Sequence, residues 1–162
     1  MSARNIRSVV DVDRVPATLP SSGDVRLQYG ALPFRQGNQG DIEIMLVTSR
    51  RTKRWIIPKG WPIEELSPAN SAAQEAFEEA GISGRISEFP IGTFTYVKQT
   101  GAGKANKLCE VIVFALEVQN QLSTWPESSQ REARWFSRDE AIQAISDKGI
   151  QPLIESVRPV GH

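Results

Sequence analysis

Histidine is nearly absent from these 162 residues: the single copy, His162, is the last residue. That scarcity excludes His-dependent triads, Cys–His nucleophiles and zinc centres built from several imidazoles. Cysteine is as scarce. Cys109 stands alone, so no internal disulfide can form and a reducing, cytoplasmic setting is expected. It precedes the apolar run Val111–Leu116 and reads as a buried strand residue, not a nucleophile. No apolar run approaches the roughly 18 residues of a membrane span, and the N-terminus lacks an apolar signal-peptide core. Charge excess is missing too. The 19 basic and 19 acidic residues cancel, so neither a nucleic acid nor a membrane is expected as a partner. Chemistry here must run on carboxylates, lysines, backbone groups or a metal held by oxygen.

One further absence is local. No Lys or Arg lies between Gly60 and Gly84, yet Glu64, Glu65, Glu75, Glu78 and Glu79 do. Ser67 suits a helix N-cap, Pro68 the first turn and Gly81 the stop, which predicts a helix over 68–80. At about 100° per residue, Ala69, Ala72, Ala73, Ala76, Phe77 and Ala80 gather on one side, with Glu75, Glu78 and Glu79 on the other. Like charges at these spacings cost roughly 0.2–0.5 kcal/mol each. The helix dipole disfavours anions in the last turn by roughly 0.3–1 kcal/mol. A hard dication would relieve both costs, and three oxygen donors without imidazole suit Mg²⁺, with Mn²⁺ as a substitute.

Around this helix the chain reads as strands at Val25–Phe34, Ile42–Val47, Trp55–Ile57, Ile86–Val97, Leu108–Val118 and Ala133–Phe136. Ser137 is a good cap for a second helix over 138–146, with Asp139 and Glu140 in its first turn, and Ile150–Val157 is a last helical piece. The fold class is α+β, with a mixed sheet covered by helices in an α/β/α sandwich. Residues 1–23 are expected to be a flexible arm, 24–157 one domain and 158–162 a tail.

The segment from Gly60 to Ile82 resembles the signature box of the Nudix hydrolases. That pattern runs Gly, five residues, Glu, seven residues, Arg-Glu, an aliphatic, any residue, Glu-Glu, any residue, Gly, an aliphatic. Gly60, Glu75, Ala76, Glu78, Glu79, Gly81 and Ile82 fall in register, and Trp55-Ile-Ile-Pro-Lys-Gly60 is similar to the lead-in. The resemblance implies a Nudix-type sandwich with the box helix on one face. It also implies a metal site of Glu75, Glu78, Glu79 and the Gly60 carbonyl, with the three glutamates as catalytic residues. Glu75 would orient or deprotonate the attacking water; Glu110, Glu127 and Glu132 are candidates for an assisting glutamate outside the box. Two positions depart: Leu66, a candidate core residue, stands where the box has Glu, and Gln74 where it has the Arg that helps hold the neighbouring glutamate.

The segment Thr48-Ser-Arg-Arg-Thr-Lys-Arg54 brings four cations and three hydroxyls between two strands, and Lys59 adjoins the box. Cations beside hydroxyls suit several phosphates. Thr48, Ser49 and Arg50 are similar in character to the subgroup that cleaves diphosphoinositol and dinucleoside polyphosphates, which implies a small phosphorylated substrate bound by Ser49, Arg50, Arg51 and Lys59. Two alternatives stand beside it: hydrolysis of another nucleoside diphosphate derivative such as a nucleotide-sugar, and a degenerate domain acting as a binding or regulatory module.

Overall fold

The computed structural model describes residues 24–101 and 103–159. The expected arm at 1–23 and most of the expected tail at 158–162 lie outside them. Eight strands form one mixed sheet: β1 (Val25–Gln36), β2 (Ile42–Thr48), β3 (Trp55–Ile56), β4 (Lys59–Gly60), β5 (Ile82–Ile86), β6 (Gly92–Lys98), β7 (Lys107–Gln121) and β8 (Ala133–Ser137). The helices are α1 (Pro68–Ala80), α2 (Arg138–Ala144) and α3 (Gln151–Ser156). The spine is β1 beside β7, paired in parallel from Val25–Leu108 to Phe34–Glu117; every other pairing is antiparallel.

Both faces of this spine are covered, so its strands carry continuous apolar runs instead of clean alternation. Leu32, Phe34, Ile44, Leu46, Val111 and Val113 point into one core with Ala141, Ile145, Ile150 and Ile154. Ala31, Met45, Val47, Phe114 and Leu116 point the other way, onto Ala72, Ala76 and Ala80 of α1. This is the expected α/β/α sandwich. Among the described residues no helix is long and apolar enough to cross a membrane.

Local rules fixed the bounds of α1. Ser67 Oγ accepts from Asn70 N at 3.1 Å, Pro68 opens the helix, and Gly81 closes it at φ 70°. At α2 a reciprocal capping box joins Ser137 and Glu140; the helix is shorter than expected, because Ile145 turns to extended backbone and sinks into the core.

Three sequence expectations need correction. The run Ile86–Val97 is two strands, not one. Ile86 pairs with Leu116 and Gly92 with Val113, so residues 87–91, including Pro90, bulge out opposite a shorter stretch of β7. Proline cannot donate to the ladder, which accounts for the break. Phe77 lies at the margin of the buried stripe and is 36% exposed, while Glu79, assigned to the polar side, is buried. Leu66 is 40% exposed and is no part of the core.

The site is prepared where β1 and β2 splay. They pair only beside their turn, Phe34–Gln36 with Ile42–Ile44. Further along, β3 pairs with β2 and β4 with β1, so Trp55–Gly60 fills the gap between them. Lys59 and Gly60 are thereby fixed over the last turns of α1.

Candidate active site

Glu75 and Glu79 lie one helical turn apart on α1 and face β4. The Lys59 backbone N–H donates to Glu79 Oε1 at 3.4 Å. Gly60 has no side chain for a direct reason: a Cβ there would overlap the Glu75 carboxylate. The two carboxyl groups are close enough to raise each other's cost of ionisation, and both are held above the usual carboxylate range. Burial is the main cause that pushes Glu79 up to about 8; Arg131 opposes it and Glu75 reinforces it. Glu75 is raised as well, chiefly by burial. Lys59 is displaced downward by burial, against the pull of Asp147 and Glu79, and its Nζ stands 4.8 Å over the Tyr96 ring.

The loop between β7 and β8 comes back to this helix end. Trp125 Nε1 donates to the Glu79 carbonyl at 2.9 Å and the Glu127 N–H to the Glu78 carbonyl at 3.0 Å, so two carbonyls that α1 leaves open are capped from a distant segment. A Cβ at Gly81 would press on the Trp125 ring, so the glycine serves packing as well as the left-handed turn. Arg131 follows in the same loop. Its Nε bonds Glu127 Oε1 at 2.7 Å, its Nη1 donates to the Thr48 carbonyl at 3.0 Å, and its Nη2 stands 3.8 Å from Glu79 Oε2. The acidic helix therefore does have basic company, supplied from outside the acidic segment.

These groups open into a cleft of ≈ 700 Å³ lined by Ser49, Arg50, Arg51, Thr52, Arg54, Lys59, Gly60, Trp61, Glu75, Glu79, Tyr96, Lys98, Glu127 and Arg131, among others. Of the residues assigned to the site from sequence, it gathers Ser49, Arg50, Arg51, Lys59, Gly60, Glu75 and Glu79. Glu78 is not in its lining: its Oε2 accepts from Gln74 Nε2 at 2.8 Å. Of the three candidate glutamates outside the box only Glu127 lines the cleft; Glu132 is paired with Arg134 at 3.1 Å, and Glu110 sits mid-strand on β7. Ser49 Oγ is engaged within its own turn, bonded to Thr52 Oγ1 at 2.8 Å and to Arg54 N at 3.0 Å. Sequence reasoning missed Arg131, Trp125, Trp61 and Tyr96. Trp61 falls at an unspecified position of the box, and the other three belong to no local motif.

Among the described residues no three His, Cys, Asp or Glu side chains converge closely enough to hold an ion by themselves. The donor set nevertheless fits a hard dication. Glu75 and Glu79 crowd one partly buried spot, with Gly60 trimmed to admit the Glu75 carboxylate, and a bound cation would offset the charge that burial penalises. Gly60 and Glu127 line the same cleft and are the candidates for further oxygen donors.

A family profile described as the NUDIX domain matches residues 26–156. Nudix hydrolase 12, mitochondrial, of Arabidopsis thaliana is 30% identical over 144 residues, spanning 80% of this chain and 71% of that protein. Diphosphoinositol polyphosphate phosphohydrolase 3-beta of Bos taurus is 31% identical over 116 residues, 70% of this chain and 65% of that protein. The fold of a C. elegans Ap4A hydrolase binary complex superposes with a TM-score of 0.61 at 23% identity, covering 81% of this chain and 93% of that one. With the box in register, its helix at the cleft and the family profile spanning nearly every described residue, the chain belongs to the Nudix hydrolases, which act on small phosphorylated substrates and generally use divalent metal cations.

Proposed function

We propose that this chain is a Mg²⁺-dependent Nudix hydrolase that cleaves a diphosphate linkage in a highly phosphorylated substrate, of the dinucleoside polyphosphate or diphosphoinositol polyphosphate type. The observation that carries the reading is the shared cleft: the carboxylates Glu75, Glu79 and Glu127 and the cations Arg50, Arg51, Arg54 and Lys98 line one ≈ 700 Å³ space. The name of the bovine relative points the same way.

A bound dication would neutralise phosphate charge and make a coordinated water more acidic. The remaining roles fall to side chains. Glu75 and Glu79 would hold the ion, and Glu127, which lines the same cleft, would accept a proton from the attacking water. The arginines of the β2–β3 turn would grip phosphates remote from the scissile bond, guanidinium being suited to bidentate phosphate contact. Lys59, kept in place by Tyr96 and its buried surroundings, would contact a phosphate near the ion.

A second reading, hydrolysis of a nucleotide-sugar, is favoured by Trp61, 43% exposed in the cleft, whose ring offers a face to a planar base. One assay separates the two. Arg50→Ala combined with Arg51→Ala should lower kcat/KM for diadenosine tetraphosphate by about one to three orders of magnitude, since each of these exposed charge-assisted contacts is worth at most roughly 1.5–3 kcal/mol. ADP-ribose, which lacks the remote phosphates, should lose much less. Equal losses on both substrates, or none on either, would remove the polyphosphate reading and leave the nucleotide-sugar one.

A further inference from the structure

Arg131 is the most enclosed guanidinium whose contacts bear on the cleft. Its side chain is 8% exposed, and burying a charge to that degree is costly unless every direction is paired. Here the guanidinium engages three different pieces of chain: it donates to the Thr48 carbonyl at the end of β2 and to Glu127 in the β7–β8 loop, and it forms an ion pair at 3.8 Å with Glu79 in the last turn of α1. Glu79 and Glu127 line the cleft, and Thr48 precedes its lining residue Ser49. Its i,i+4 partner Glu127 is itself tied to α1 through the Glu78 carbonyl, so the guanidinium closes a ring that runs helix, loop and back to helix.

Two observations separate this from an ordinary structural ion pair. Arg131 addresses carboxylates that line the cleft and have work to do there, not surface acids. The only long polar side chain on α1 placed to brace an acid of that helix is Gln74, and its amide is committed to Glu78. Without Arg131, the Glu79 carboxylate would keep only the long contact from the Lys59 amide at 3.4 Å to fix its orientation.

We propose that Arg131 is a positioning residue of the metal-binding cleft: its guanidinium sets the orientation and spacing of Glu79 and Glu127. It acts through the two carboxylates, to which its guanidinium is committed. The inference rests on the reading of Glu79 as a metal donor. Fork geometry is essential to it, since an ammonium cannot reach three acceptors in fixed directions.

The test uses Mn²⁺ alone as probe, followed by paramagnetic resonance of the free ion, with kcat and KM for diadenosine tetraphosphate measured separately. Removing groups that orient metal-holding side chains typically costs 10–100-fold in affinity or activity. Arg131→Ala should therefore weaken Mn²⁺ binding and lower kcat by about that factor, with KM little changed. Arg131→Lys should recover the melting temperature of the metal-free protein while recovering neither Mn²⁺ affinity nor kcat. Wild-type Mn²⁺ affinity and kcat in Arg131→Ala would overturn the proposal, as would full recovery of both by lysine. If the alanine variant fails to fold, the lysine variant decides by the same two readings. The Mn²⁺ titration needs no substrate, so a wrong substrate assignment leaves it intact; a wild type that does not bind Mn²⁺ overturns both the metal reading and this one.

Discussion

The indole N–H of Trp125 donates to the backbone carbonyl of Glu79 at 2.9 Å, across 46 residues of sequence. A helix leaves its last carbonyls without an internal donor, and here one of them belongs to a residue of the cleft. The bond caps α1 and pins the loop that carries Glu127 and Arg131.

Trp125→Phe keeps the ring packed on Gly81 and removes only the donor. The buried carbonyl then goes unmet, at a cost of about 1–3 kcal/mol, to be read from the urea midpoint at unchanged slope. Activity should fall as well, because Glu127 loses an anchor; a variant with wild-type kcat would show that the loop is held by other contacts.

Metal binding is testable without turnover. Mg²⁺ or Mn²⁺ should raise the thermal midpoint through mass action, and Glu79→Gln should remove most of that rise. Gly60→Ala should do likewise, since its Cβ overlaps the Glu75 carboxylate. Coincident wild-type melting curves with and without metal would defeat the metal assignment.

Stability of the metal-free protein should depend on pH in an unusual sense. Glu79 is pushed up to about 8 from an ordinary 4.5, so the folded state binds its proton more tightly than the unfolded state does. The stabilisation is complete below about 4.5 and is lost as pH rises through about 8. Between pH 5 and pH 8 the melting temperature should therefore fall, and Glu79→Gln should flatten that part of the profile. A wild type that gains stability over this range would contradict the assignment.

Gln74 reaches Glu78, not the two carboxylates in the cleft. Gln74→Arg should therefore leave kcat within a few-fold of wild type, or improve it slightly through charge relief along the helix. A large loss would assign Gln74 a role of its own at the substrate.

The bounds of α1 were legible because caps and stops act over a few residues: Ser67, Pro68 and Gly81 need no tertiary partner to declare a helix end. The box spacing was legible for the same reason, since a 3.6-residue period places Glu75 and Glu79 side by side whatever surrounds them. The split between Ile86 and Gly92 was not, because both pieces pair with β7 and the pattern of apolar residues runs through the bulge almost unbroken.

What sequence by itself determined was the donor chemistry: no imidazole or disulfide to use, oxygen ligands on one helix, arginines in one turn. What it could not settle was the balance of charge at that helix. Read along the chain, Glu75, Glu78 and Glu79 have no basic neighbour. In space Glu79 faces Arg131, Glu78 is held by Gln74, and only Glu75 and Glu79 of the three line the cleft. Coulomb energy and desolvation depend on distance and burial, not on separation along the backbone, so only the folding of the β7–β8 loop onto the end of α1 decides how these acids are held.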